Sequence, residues 1–152
     1  METSTFEIGS VETDSSRSKR ELSLNSRQLA VFAHAAIEEK KGCDPLILDL
    51  RRLTDIADFF LLTHGTSDRH VRTLADAVLE YLGKKKLKPL HVEGMRDASW
   101  ILLDYGSVIV HVFHHESRKF YNLERLWGDA HVLKAVEKHE RQVKRTRRSS
   151  AA

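Results

Sequence analysis

The stretch FFLLTHGTSD, residues 59–68, decides the fold class because an apolar run of strand length leads directly into a helix-opening turn. Residues 59–63 are almost continuously apolar rather than alternating, which is typical of a strand in a sheet covered on both faces. Residues 65–68 form the turn, and Thr66 or Ser67 can cap the helix that follows. The sequence therefore predicts an α/β protein in which helices pack against a sheet.

Apolar residues at helical spacing predict the other helices. One helix is expected over residues 26–41, with Asn25 or Ser26 as its N-cap. The helix that opens after residue 65 is expected to end at Gly83, where a glycine commonly terminates a helix. A third, whole or broken, is expected over residues 116–127.

Short apolar runs bounded by turn residues predict four strands besides the one at 59–63, and they lie at 45–50, 90–92, 100–104 and 108–113. Tyr105-Gly106 marks a tight hairpin between the last two. The predicted order is α-β-β-α-β-β-β-α. This order predicts an α/β fold with a mixed β-sheet flanked by helices.

The chain has 152 residues and a net charge of +3. Its composition and charge change along the sequence and divide it into three parts. Residues 1–22 are rich in Ser and Thr and poor in apolar residues, so we expect a disordered N-terminal extension. Residues 23–130 are expected to form the α/β domain, which is close to neutral. Residues 131–152 form a basic C-terminal tail that can be helical, and residues 134–152 carry seven bases and two acids. A domain with almost no net charge is more typical of a protein that binds another protein than of one that binds nucleic acid.

The composition argues against a membrane protein and a secreted protein. No run approaches the roughly 20 apolar residues that a membrane span needs. The first residues carry acids and lack the basic and apolar regions of a signal peptide. The single cysteine, Cys43, permits no internal disulfide, which agrees with a reducing compartment. We therefore expect a cytoplasmic protein without membrane contact.

Histidines at the end of the last strand raise the question of a metal site. His111, His114 and His115 are close in sequence and stand beside Glu116. A zinc site needs three or four converging ligands. His115-Glu116 does not begin an H-E-x-x-H motif, because the fifth residue of this stretch is Lys119 rather than a histidine. We therefore expect neither a metal nor any other cofactor.

The turn at residues 65–67 has two other interpretations. A helix N-terminus can bind phosphate, but this turn matches neither G-x-x-x-x-G-K-[ST] nor G-x-G-x-x-G, so a capped turn is the simpler interpretation. The turn is also similar to that of nucleotidyltransferases, which hold Mg²⁺ on paired aspartates. Residues 90–93 contain no D-x-D, and Asp104 stands alone at the end of its strand. We expect a nucleotidyltransferase-like scaffold without the catalytic aspartates, and no enzyme activity.

Aromatic and acidic side chains near the predicted strand and helix ends are candidates for binding a partner protein, and they are Glu93, Trp100, Asp104, Tyr105, Tyr121 and Trp127. Interfaces concentrate their energy in a few aromatic anchors ringed by polar groups. Aromatic residues serve cores as often, so both interpretations stay open. Tyr105 is expected to project from the hairpin turn, and Glu93 and Asp104 suit a basic partner.

The tail bases Lys144, Arg145, Arg147 and Arg148 are candidates for contacts with nucleic-acid phosphates. The alternative is that such a run is only a frayed, well-solvated end of the chain. The sequence alone leaves both interpretations open.

Several motifs occur in one order along the chain. The first half carries LDLR at 48–51, ADFF at 57–60 and GTSDRHV at 65–71. The second half carries HVEG at 91–94, WILLDYG at 100–106, VHVF at 110–113 and YNLERLW at 121–127. Together they resemble the Iojap family, also called the ribosomal silencing factor RsfS family, over residues 25–129. Several separate motifs are far more specific than any single one.

The resemblance implies a fold related to nucleotidyltransferases without their activity. It also implies binding to the fourteenth protein of the large ribosomal subunit, at the face that meets the small subunit. Occupying that face would block subunit joining and repress translation when nutrients are short. The six candidate residues would then contact the ribosomal protein, the tail bases would contact rRNA peripherally, and the free protein is a candidate homodimer.

Two other classes of function stay open. A nucleotidyl-transfer enzyme is permitted by the scaffold and opposed by the missing D-x-D. An RNA-binding module is permitted by the basic tail and opposed by the neutral domain.

Overall fold

A computed structural model describes residues 24–133 of the chain. The described helices are α1 (Ser26–Glu39), α2 (Asp68–Lys84), α3 (His115–Tyr121) and α4 (Leu123–Leu126). The described strands are β1 (Cys43–Asp49), β2 (Phe59–Gly65), β3 (His91–Glu93), β4 (Trp100–Asp104), β5 (Val108–His114) and β6 (His131–Leu133). Of the helices in this part of the chain, none is both long enough and apolar enough to cross a bilayer.

The six described strands form one mixed sheet in the order β3-β4-β5-β2-β1-β6. β2 and β5 run parallel, with Phe59 opposite Val108. The other neighbouring pairs are antiparallel. Parallel neighbours need a long crossover connection, which here consists of α2 with β3 and β4. The mixed α/β fold predicted from the sequence is confirmed.

Alternate side chains of β2 enter two hydrophobic clusters, one on each face of the sheet. Phe59 and Leu61 pack with α1 and α2 on what we call the first face. Phe60 and Leu62 belong to the cluster on the second face, against which Trp127 packs. Each fully buried Leu or Phe contributes roughly 1.5–3 kcal/mol. The continuous apolar run of β2 is thus covered on both sides, as predicted.

Side-chain caps fix where the two long helices begin. Asn25 Oδ1 accepts from Gln28 N at 2.8 Å and Asn25 N donates to Gln28 Oε1 at 3.1 Å, which forms a reciprocal capping box. Ser67 Oγ accepts from His70 N at 3.1 Å at the start of α2. Both caps are among those predicted. The prediction that α2 ends at Gly83 is slightly wrong, because the helix passes through Gly83 and ends at Lys84. A Cβ added at Gly83 would meet no atom within 4 Å.

The predicted third helix is broken, as the sequence allowed. Asn122 separates α3 from α4 with φ 45° and ψ 59°. Asparagine tolerates this left-handed conformation better than most residues. The break turns α4 back over the second face, where Trp127 follows it.

The described chain ends in a strand rather than a helix. β6 pairs antiparallel with β1, so the prediction that the tail from residue 131 can be helical is wrong for residues 131–133. The pairing supplies partners to backbone groups that β1 would otherwise leave at a free edge. The sheet therefore continues past the predicted domain limit at residue 130. The predicted extension and the rest of the predicted tail, within residues 1–23 and 134–152, lie outside the described residues.

Candidate protein-binding surface

The second face of the sheet carries aromatic side chains that are only partly covered. α3 packs against β5 and β2, and the Trp127 ring meets Phe60 edge-on with the centroids 5.7 Å apart. Towards β4 the cover is thinner. Trp100 is half-buried and Tyr121 is 49% exposed. Aromatic surface is therefore accessible at the β4 side of this face.

Trp100, the first residue of β4, is held by neighbours from the adjacent strand β5 and from α3. Its ring centroid lies 5.1 Å from that of Phe113 and 4.7 Å from that of Tyr121. Its indole Nε1–H donates to Nδ1 of His111 at 3.1 Å. A tryptophan that is partly buried usually finds a partner for this N–H. The hydrogen bond lets the indole pack on the sheet without leaving its polar group unpaired.

α3 and α4 carry further exposed apolar side chains. Phe120 is 82% exposed, and its ring meets that of Tyr121 edge-on at 5.1 Å. Leu126 on α4 is 71% exposed. We call Trp100, Phe120 and Tyr121 the aromatic patch. Exposed apolar groups that lie together mark contact surfaces. The sequence did not indicate Phe120, because a short helix has no apolar stripe to separate surface from core.

Glu93 and Asp104 lie on the same face as the aromatic patch. In the β3–β4 pair, His91 stands opposite Asp104 and Glu93 opposite Leu102, and opposed residues of such a pair point to one side. His91 Nε2 contacts Glu93 Oε1 at 2.7 Å, yet the Glu93 side chain is 64% exposed. Asp104 Oδ1 accepts from Gly106 N at 2.7 Å. The Glu93 carboxylate is therefore largely exposed on this face, whereas Asp104 is partly engaged in the hairpin turn.

Tyr105 points to the first face, so the expectation that it projects from the hairpin is wrong. It is 9% exposed and belongs to the cluster under α1 and α2. Tyr105 N donates to Val108 O at 2.9 Å, which continues the pairing and the alternation of β4 by one residue. The phenol oxygen has no hydrogen-bond partner among residues 24–133, and burial raises its pKa to about 12. Tyr105 contributes to the core rather than to the surface.

Trp127 has mainly a packing role. It is half-buried, and its edge-on contact with Phe60 anchors the end of α4 on the second-face cluster. Of the six predicted contact residues, the structure places four on the side of the sheet away from α1 and α2 and near β4: Glu93, Trp100, Asp104 and Tyr121. The tail bases Lys144, Arg145, Arg147 and Arg148 lie outside the described residues.

His111 lies beneath the aromatic patch in the middle of β5. It is 3% exposed, with its ring centroid 4.6 Å from that of Phe60. Burial lowers the pKa of His111 to about 4, so the ring is neutral at neutral pH. Because Nδ1 accepts from the indole, the proton of the neutral ring sits on Nε2. That N–H has no hydrogen-bond partner within the described chain, residues 24–133.

The turn before α2 is satisfied by its own side chains. Thr66 N donates to His70 Nδ1 at 3.1 Å, and His70 N donates to Ser67 Oγ at 3.1 Å. A phosphate at this helix N-terminus would need such N–H groups to be free. The contacts therefore favour the capped-turn interpretation. Among the His, Cys, Asp and Glu side chains of residues 24–133, no three converge in a way that would hold a metal ion.

The fold and this surface define a small α/β protein with a partly exposed aromatic patch on the second face of its sheet. The family model described as "Ribosomal silencing factor during starvation", RsfS, matches residues 23–152. The chain belongs to the RsfS family. The resemblance found in the sequence motifs is thereby confirmed.

Individual relatives agree with this family. The chain is 39% identical over 107 residues to "Ribosomal silencing factor RsfS" of Bacillus subtilis, which covers 70% of this chain and 91% of the relative. A crystal structure of a Chromobacterium violaceum protein matches with a TM-score of 0.67 and 32% identity, over 69% of this chain and 88% of that one. A mouse protein named "Mitochondrial assembly of ribosomal large subunit protein 1" is 30% identical over 73 residues, 46% of this chain and 32% of its own length.

Proposed function

We propose that this protein silences ribosomes by binding the large subunit through its fourteenth protein, at the face that meets the small subunit. Bound there, it blocks subunit joining sterically and represses translation under nutrient limitation. The observation that carries the proposal is the exposed aromatic patch beside the carboxylate of Glu93. The names of the relatives support it, since one is a ribosomal silencing factor and another is named for assembly of the large subunit. The description of the matching family model mentions starvation, which supports the proposed role under nutrient limitation.

The aromatic patch has the properties of interface anchors. Phe120 and Tyr121 are 82% and 49% exposed, so a partner that covers them removes apolar area from water. The Trp100 ring is already held by Phe113 and Tyr121. A ring held in place before binding loses less conformational freedom when the partner arrives. An anchor at an interface centre contributes on the order of 2 kcal/mol or more.

The charge beside the patch suits a ribosomal protein. Ribosomal proteins are typically basic because they lie against RNA, and Glu93 presents a largely exposed carboxylate on the same face as Trp100. Complementary charge mainly speeds association and fixes orientation. The bases of the C-terminal tail would add peripheral contacts to rRNA phosphates.

Silencing by occupancy requires no chemical step, and we propose that the protein is not an enzyme and acts in the cytoplasm. In a nucleotidyltransferase, paired aspartates hold Mg²⁺. Here Asp104 accepts a hydrogen bond from Gly106 N at 2.7 Å and thereby stabilises the hairpin turn. That contact gives Asp104 a structural role in the turn.

Sedimentation of purified ribosomal subunits tests the proposal. Large subunits are incubated with the protein, small subunits are added, and the gradient is read for joined ribosomes. The protein is expected to travel with the large subunits and to reduce the joined peak. Tyr121→Ala is expected to weaken binding about thirtyfold, because it removes an interface anchor.

The matched control is Val31→Ala, since Val31 is also an exposed apolar residue, 37% exposed, but lies on α1 above the first face. This variant is expected to bind and silence like the wild type. Failure of the wild-type protein to travel with large subunits would refute the function. Equal loss in both variants would assign the effect to stability, and wild-type binding by folded Tyr121→Ala would place the interface elsewhere.

A further inference from the structure

His111 is a polar side chain at a position where the fold favours an apolar one. It is 3% exposed in the middle of β5, and the other β5 residues of the second-face cluster, Ile109 and Phe113, are apolar. Its Nε2–H has no partner among residues 24–133. An unpartnered buried donor destabilises the folded state. A leucine or valine would avoid that penalty, so core packing alone does not account for the histidine.

What a histidine supplies, and an apolar residue cannot, is an acceptor for the indole of Trp100. Nε1 of Trp100 donates to Nδ1 of His111 at 3.1 Å, and an indole N–H is a donor only. Phe113 and Tyr121 contact the indole through their rings. The hydrogen bond adds direction to these ring contacts, because it fixes which edge of the indole faces the sheet.

We propose that His111 is a positioning residue for partner binding, which holds the Trp100 indole, and through it the Tyr121 ring, in the orientation that forms the aromatic patch. This rests on the proposed function, because it concerns the same surface. The physical basis is preorganisation, since rings held in their bound orientation lose less freedom on binding. A residue that only fills the core would change stability without controlling the orientation of these rings.

Two substitutions separate the acceptor from the packing. His111→Asn keeps an oxygen acceptor near the place of Nδ1, whereas His111→Leu keeps a buried side chain and removes the acceptor. Leu48→Ala is the matched control for stability. Leu48 belongs to the same second-face cluster, but it lies on β1, and β5 and β2 stand between β1 and β4. This control destabilises the cluster at a distance from Trp100.

The positioning is read from the indole N–H signals of the full-length, ¹⁵N-labelled protein. The chain has two tryptophans, so Trp127→Phe assigns the two signals. In the wild type and in His111→Asn, the Trp100 indole proton is expected to exchange slowly with solvent. In His111→Leu its exchange is expected to be at least about tenfold faster, with the Trp127 signal unchanged.

The functional consequence is read from affinity for isolated large ribosomal subunits, at a temperature where melting curves show every variant folded. His111→Leu is expected to bind about tenfold more weakly, whereas His111→Asn and Leu48→Ala stay within about threefold of the wild type. Rescue by asparagine supports positioning, because asparagine packs less well than leucine in the cluster.

Four outcomes would overturn the proposal. Unchanged indole exchange in His111→Leu would show that the histidine does not hold Trp100. Faster exchange with wild-type binding would show that the orientation is dispensable, while the proposed function would stand. An equal loss in Leu48→Ala would assign the effect to stability. If the wild-type protein itself does not bind large subunits, the proposed function fails, and the role of His111 in binding fails with it.

Discussion

Arg118 of α3 donates from Nη1 to Nδ1 of His64 across 2.9 Å, which joins the helix to the end of β2. Arginine cannot accept a hydrogen bond, so His64 is neutral and carries its proton on Nε2. Burial, and then the charge of Arg118, lower the pKa of His64. Arg118 also donates to Glu124 Oε1 at 2.7 Å and to Cys43 O at 3.2 Å. One guanidinium thus connects α3 and α4 to two strands and supports the helices that flank the aromatic patch.

We predict that Arg118→Met lowers the free energy of unfolding by on the order of 2 kcal/mol, measured by urea denaturation. The Arg118 side chain is 12% exposed, so its loss leaves the partly buried carboxylate of Glu124 without its donor. Lys84→Met is the control. The Lys84–Glu80 pair spans 3.8 Å with both side chains about three quarters exposed, at 75% and 74%. An exposed pair of this kind contributes under about 0.5 kcal/mol, so equal losses would contradict the prediction.

The protein is predicted to lose stability as the pH falls from about 6.5 to about 4. Burial lowers the pKa of His111 from 6.5 to about 4, so the unfolded chain takes up its proton first as the pH falls. The free energy of unfolding then declines by up to about 3 kcal/mol across this window and is unaffected by His111 above it. The lowered pKa of His64 acts with the same sign.

Chemical denaturation at several pH values, with His111→Asn as the comparison, measures this contribution. The variant cannot titrate at position 111 and is expected to decline less steeply between about pH 6.5 and pH 4. Parallel profiles for the two proteins would mean that folding does not change the affinity of His111 for its proton.

Replacement of two different glycines by alanine is predicted to change the stability of the protein in opposite directions. Gly94 has φ 84°, and a Cβ there would overlap the carbonyl oxygen of Trp100. Gly94→Ala is therefore expected to lower the free energy of unfolding by at least about 2 kcal/mol, and the melting temperature falls with it. Gly83 lies inside α2 with open space around it, so Gly83→Ala is expected to raise stability by about 0.5–1 kcal/mol. Thermal melting of both variants checks the pair, and a shift of the same sign in both would contradict it.

The sheet and the two long helices are predictable from the sequence because apolar spacing is a local signal. The continuous runs at 59–63 and 108–113 form the neighbouring strands β2 and β5. Helix starts follow from residues that can cap them, as Asn25 and Ser67 do. Each capping contact joins residues only three apart, and each apolar run predicts a buried strand without specifying the distant strand that pairs with it.

β6 and the direction of Tyr105 depend on information that is not local. β6 is a strand because its backbone pairs with β1, far away in sequence. Tyr105 faces the first face because the alternation of β4 continues past Asp104. If the end of β4 were shifted by one residue, the Tyr105 side chain would point to the second face instead. The candidate site is therefore only partly predictable, and contact of Glu93, Trp100 or Tyr121 with a partner stays a prediction.

Removal of the tail after Leu133 is predicted to weaken binding to large subunits modestly at low salt and little at high salt. β6 ends at Leu133, so the sheet keeps its edge strand. Phosphate contacts by the tail bases would release counterions, which makes their contribution depend on salt. Pelleting of subunits at two salt concentrations measures the effect. Glutamine at positions 144, 145, 147 and 148 in the full chain is the control for charge, and loss of binding at every salt concentration would show specific recognition by the tail.

Reversal of the charge of Glu93 is predicted to slow binding to the large subunit. The Glu93 side chain is 64% exposed on the same face as the aromatic patch, and its partner there is expected to be basic. Glu93→Lys should reduce the association rate about tenfold at low salt, and the reduction should shrink at high salt, where charges are screened. Asp104 is a poorer test because it also accepts from Gly106 N. Glu80→Lys is the matched control, since Glu80 is also a largely exposed acid, 74% exposed, on α2 beyond the first face. Stopped-flow mixing with large subunits gives the rates. Equal slowing by both variants would indicate a response to net charge, and no slowing by Glu93→Lys would remove this residue from the interface.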